Sequence, residues 1–119
     1  MPHVVIHGDI SLRALYDDFE PIEERAGDDV LKVTDVFLNH SGRVALLECV
    51  VVERRPMSFF VQLARHEDRV TVRLFPPTDP QKTDGVRRIL ARIAWEIVRR
   101  FPGSRYGATN LEPFLNRGE

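Results

Sequence analysis

The chain has 119 residues, 43% of them hydrophobic, enough for one domain that buries roughly two-thirds of its unfolded surface. Its 17 basic and 18 acidic residues leave a formal charge of −1, which argues against a dedicated nucleic-acid or anionic-membrane binder. One cysteine excludes an internal disulfide, and the longest apolar stretch, Val44 to Val52, is too short to cross a bilayer as a helix and contains Glu48. With no charged leader followed by an apolar run, a soluble cytoplasmic protein is expected.

His3 to His7 reads as a strand. A short helix follows over roughly residues 10–19, with Leu12, Leu15, Tyr16 and Phe19 on one side, Asp9 or Ser11 as cap and Pro21 beyond its end. Residues 30–75 alternate as four strands: Leu31 and Val33 interleave with Lys32 and Thr34, and Val70, Val72 and Leu74 with Thr71 and Arg73. Asn39-His40-Ser41-Gly42, Glu53-Arg54-Arg55-Pro56 and Glu67-Asp68 separate these runs by hairpin lengths, so an antiparallel meander is expected. The Asn39-His40-Ser41 sequon is read as part of a turn.

Two-residue loops would set Phe37 opposite Val44, Val50 opposite Phe59, Val61 opposite Leu74 and Leu63 opposite Val72. One face would then collect Leu31, Val33, Phe37, Val44, Leu46, Val50, Met57, Phe59, Val61, Leu63, Val70, Val72 and Leu74 as the core. The other face would mix Lys32, Thr34, Ser58, Gln62, His66, Thr71 and Arg73 with Val36, Ala45, Leu47, Cys49, Val51, Phe60 and Phe75. A long helix is expected over residues 80–101, with Asp79 as N-cap, Pro80 at its first position and Pro102-Gly103 ending it. Val86, Ile89, Leu90, Ile93, Ile97 and Phe101 form its apolar stripe.

These elements give an α+β class: a single domain over residues 1–104 in the order β-α-β-β-β-β-α, with a curved antiparallel sheet and both helices on one face. Residues 105–119 form a tail expected to pack on the long helix, with Tyr106, Leu111, Phe114 or Leu115 over Trp95, Ala91 and Val98. The element order is shared with TATA-binding-protein-like and helix-grip folds, a likeness of topology alone that no residue motif accompanies. Topology does not supply function.

No G-x-S-x-G, G-x-G-x-x-G or phosphate-loop pattern surrounds the serines and glycines. Asp35 and Glu48 break the core pattern: the derived register points both into the helix-covered groove with Cβ atoms about 7 Å apart. Desolvation and repulsion there would raise one carboxyl's pKa, the arrangement of a small isomerase or hydrolase. The plainer explanation ties each to an arginine such as Arg100.

His3 and His7 share a strand face but stand roughly 13 Å apart, and His40 and His66 occupy a turn and a strand end, so neither a metal nor another cofactor is expected. Cys49, between Lys32 and Phe60 in the derived register, lacks an oriented base and reads as a packing residue. Val36, Leu47, Cys49 and Phe60, with Ala45 and Val51, would make an apolar patch suited to a homodimer. Arg88, Arg92 and Arg99 beside Trp95 on the long helix could stack on bases or bind phosphates, although coverage of Trp95 by the tail is preferred. The leading expectation is a non-enzymatic binding or interaction module, self-associating, for a small molecule or a protein.

Overall fold

Strand β1 (His3–His7) has no sequence neighbour to pair with and instead lies between β6 (Arg69–Leu74) and β7 (Arg105–Thr109), antiparallel to both. In the computed structural model, which describes residues 1–118, the other strands are β2 (Ile22–Ala26), β3 (Asp29–Leu38), β4 (Val44–Glu53) and β5 (Arg55–His66). They form one antiparallel sheet in the order β2-β3-β4-β5-β6-β1-β7. Two helices, α1 (Leu12–Asp17) and α2 (Asp84–Arg100), complete the α+β fold.

The sheet therefore has seven strands, two more than the sequence pattern indicates. Three of the five residues of β2 are charged, and the strand is held by a tight turn in which Gly27 takes φ +62°. β7 includes Gly107, where a Cβ would fall 2.5 Å from His7 Nε2, so only glycine lets the imidazole lie against that strand. The tail is thus strand first; only the segment after it, including the buried Leu111, turns back toward α2.

The helices start and stop later and earlier than their patterns suggest. Ser11 caps α1 by accepting from the Ala14 N–H at 3.1 Å, and the helix ends at Asp17. Asp79 and Pro80 do not open α2. Pro76–Thr78 forms a single 3₁₀ turn and Thr83 is the N-cap, its hydroxyl accepting from Val86 N–H at 3.3 Å. The cause is tertiary: the Glu53 carboxylate at the end of β4 accepts from Thr83 Oγ1 at 2.5 Å and from the Gly85 N–H at 3.1 Å. A negative charge against free N–H groups is favourable there. At Gly85 a Cβ would meet Val51 Cγ1 at 2.7 Å, so the missing side chain permits the approach.

Val86, Ile89, Leu90, Ile93 and Ile97 are buried against the sheet as their spacing requires. The β5–β6 register matches the derived one, with Val61 opposite Leu74 and Leu63 opposite Val72. β4 differs. Its turn into β5 is a single residue, Arg54 at φ +74°, so Val50 faces Ser58 and Cys49 faces Phe59. The β3–β4 loop is longer than two residues because Asn39 Oδ1 accepts from both Arg43 and Val44 N–H, placing Phe37 opposite Leu46.

Between Val33 and Asp35 the register shifts by a bulge, which reverses the side chains beyond it. Leu31, Val33 and Val36 all point inward as a result, whereas Phe37 is 50% exposed. Val36, Ala45, Leu47, Cys49 and Val51 are therefore core, and Val44, Leu46 and Val50 lie on the outer face, the reverse of the derived assignment.

Replacing Glu53 with Ala is expected to destabilise the protein by about 2 kcal/mol, since two hydrogen bonds to one charged group are lost from a partly buried helix start. Urea denaturation measures this; a change under about 0.5 kcal/mol would mean that Glu53 does not hold α2.

Candidate functional site

α1 is too short to match the length of α2, and the two helices leave a cleft of about 840 Å³ between them above the sheet. Its floor is Val33, Val36, Ala45, Leu47 and Leu63 of β3, β4 and β5. Leu12, Leu15, Phe19 and Ile22 build one wall, and Ile93 and Ile97 of α2 the other. Leu15, Phe19 and Ile22 are only partly buried, so the wall offers apolar surface. The size lies within the range of about 300–1,000 Å³ common for small-molecule sites.

The rim is charged. Asp17, Asp18 and Glu20 follow from α1, and Glu96, Arg99 and Arg100 come from the last turns of α2. Arg100 reaches across the opening to Asp18, joining the C-terminal ends of the two helices. Glu96 receives Arg99 Nη2 at 2.9 Å and Arg92 Nε at 3.0 Å.

Of the expected apolar patch, Val36 and Leu47 belong to the cleft floor rather than to an open face. Cys49 is fully buried between Val33 and Phe59, not beside Lys32 and Phe60, its Sγ 3.4 Å from the Leu47 carbonyl. Burial pushes its thiol up to about 12; the backbone contact at Val61 opposes this and the Glu48 carboxylate adds to it. Phe60 alone stays on the outer face, edge-on to Phe37 with ring centroids 6.3 Å apart.

Asp35 and Glu48 are brought together, but outside the cleft. They face each other directly across β3 and β4 at the bulge. Asp35 is exposed and accepts from the Val36 N–H at 2.8 Å, and Glu48, on the outer face, accepts from Thr34 Oγ1 at 2.8 Å. The bulge, invisible in the alternation, removes them from the groove. Neither is paired with Arg100. The geometry offers no desolvated acid beside a base at these residues.

The arginine stripe is largely neutralised. Arg92 lies between Glu24 of β2, at 2.5 Å, and Glu96. Partial burial alone would lower its pKa, but the hydrogen bonds to Glu24 and Glu96 hold it above its ordinary value. Arg88, Arg92 and Trp95 line a second recess of about 430 Å³ closed by Pro113, Phe114 and Asn116 of the tail. Trp95 is half-buried there.

His3 Nδ1 lies 3.1 Å from the Met1 carbonyl oxygen, His7 packs on Gly107, and His40 and His66 sit apart in a turn and at the end of β5. Among the described residues no three His, Cys, Asp or Glu side chains are grouped to hold a metal ion, and no helix is long and apolar enough to cross a membrane. Leu15 and Phe19 stand on the short-helix face that their spacing indicates, whereas Ile22 carries no such signal because its edge strand is mostly charged. No protein-family model, curated protein or solved structure matches the chain.

The native Cys49 thiol is expected to react with a neutral-pH thiol reagent at least about 100-fold slower than free cysteine, since its thiolate is scarce and covered. Because the folded pKa is raised above the unfolded one, its contribution to stability is present below pH 9 and is lost toward pH 12. Labelling that is as fast in buffer as in urea would contradict the burial.

Proposed function

We propose that this protein is a cytoplasmic, non-enzymatic binding module that holds a small molecule in the cleft between α1 and α2. One observation carries the reading: a space of about 840 Å³ is bordered by the half-buried apolar side chains of Leu15, Phe19 and Ile22 and by a charged rim. Sites for small ligands combine an apolar body with a few polar groups at their edge. Asp35 and Glu48, the two carboxylates that suggested acid–base chemistry, lie outside the cleft, which favours binding over catalysis.

Native mass spectrometry of the freshly purified protein tests this directly. A reproducible added mass is expected on the unmodified chain. Leu15→Trp enlarges a half-buried side chain on the cleft wall and should reduce that mass at least tenfold, with a loss of stability below about 2 kcal/mol. An adduct that survives the substitution would place the ligand elsewhere, and a bare spectrum from every preparation would count against the reading.

A second reading, self-association, is supported by the outer face of the sheet. Phe37 is 50% exposed there and meets Phe60, with Leu46 directly across the strand pair. A two-fold dimer requires only this one surface. Phe37→Glu is expected to weaken the dimer at least tenfold in sedimentation equilibrium; an unchanged association state would exclude this face.

A further inference from the structure

We infer that the outer face of the sheet receives a second copy of this chain in a charge-paired arrangement, with Asp35 and Glu48 of one protomer against Arg69 and Arg73 of its partner, and the reverse. This inference rests on the self-association reading above and specifies its pairing. Asp35 and Glu48 stand directly opposite each other on β3 and β4, a placement in which like charges repel. Their side chains are met only by the Val36 N–H and Thr34 Oγ1, each at 2.8 Å. Lys32, the lysine of β3, is held by Glu23 at 3.6 Å.

The opposite charge gathers farther along the same face. Arg69 and Arg73 of β6 and Arg105 of β7 are exposed, and Arg69 and Arg105 stand on either side of His7 in the register. Arg73 donates to Gln62 Oε1 at 2.9 Å, and among the described residues none of the three arginines has an ion-pair partner. Glu48 and Arg73 are two strands and two residues apart, about 12 Å on ordinary sheet spacing, too far to pair within one chain.

Between the two groups lies the apolar part of the face, with Phe37 50% exposed and Leu46, Phe60 and Ala64 half-buried. A two-fold axis through this middle carries each charged group over its opposite on the partner, so that one pairing is made twice. A single-stranded nucleic acid suits the face less well. Asp35 shares a strand face with Phe37, and Glu48 lies across from Phe60, so bases stacked on these rings would bring phosphates against two carboxylates.

Sedimentation equilibrium at pH 7 tests the pairing. Glu48→Lys and the double variant Arg69→Glu, Arg73→Glu are each expected to associate at least tenfold more weakly than the unmodified chain. Their equimolar mixture should associate at least tenfold more tightly than either alone, because the introduced lysine then faces the introduced glutamates while the other contact is native. Raising the sodium chloride concentration should weaken the native dimer. Arg69 and Arg73 are exposed, so their variant keeps the fold.

The outcomes keep the face and its charges apart. If the unmodified chain is monomeric, or if Phe37→Glu leaves it dimeric, self-association through this face fails and the pairing with it. If Phe37→Glu disrupts the dimer but the mixture is no tighter than its parents, the face stands and the pairing is overturned. If Glu48→Lys does not fold, the arginine variant and the salt series decide, and a dimer indifferent to either overturns the pairing. Arginine substitutions that abolish binding of a 20-nucleotide poly(U) while leaving the dimer intact would also overturn it, by assigning these arginines to a polyanion.

Discussion

A strand side chain has two directions only, and in this sheet the choice is made at two backbone irregularities. The bulge at Thr34 and Asp35 lets Leu31, Val33 and Val36 share the inner face, and the single-residue turn at Arg54 sets Ala45, Leu47, Cys49 and Val51 beside them. The core, the cleft floor and the exposure of Phe37 all depend on these two points. Shifting β4 by one residue would turn Glu48 inward and put Cys49 into water, inverting the surface and the interior together.

The inner face is wider than its helices. α2, with 17 residues, covers the strands it crosses and is drawn to β4 by Glu53, whereas α1, with six, reaches little beyond β3. The cleft is the uncovered remainder. Arg100 and Asp18 join the two helices across it, and Arg92 ties α2 to the edge strand through Glu24. Ion pairs rather than side-chain packing thus frame the opening, as expected where the walls stand apart.

The helix stripe of Val86, Ile89, Leu90, Ile93 and Ile97 and the β5–β6 pairing were legible because each depends on a local period and an ordinary two-residue turn. The side of β4 was not, since a bulge and a one-residue turn leave no mark in hydropathy. Val36 and Leu47 could be picked out as unusual apolar positions, yet their face was reversed by that shift. The rim was hidden for another reason: Asp18 and Arg100 are 82 residues apart, and only the fold joins them. β2 and β7 escaped notice because charge in one and Gly107 in the other mask alternation.

The position of β1 also orders events in time. It is made early, but its neighbours are residues 69–73 and 105–109, so during synthesis it can complete neither ladder until much later chain has emerged. The meander from β2 to β6 can assemble beforehand from contacts between successive strands. Insertion of β1 between β6 and β7 is then a closing step that requires long-range chain closure, the kind of contact that slows folding. Until it occurs, β6 presents an unpaired edge that is open to mispairing with another strand.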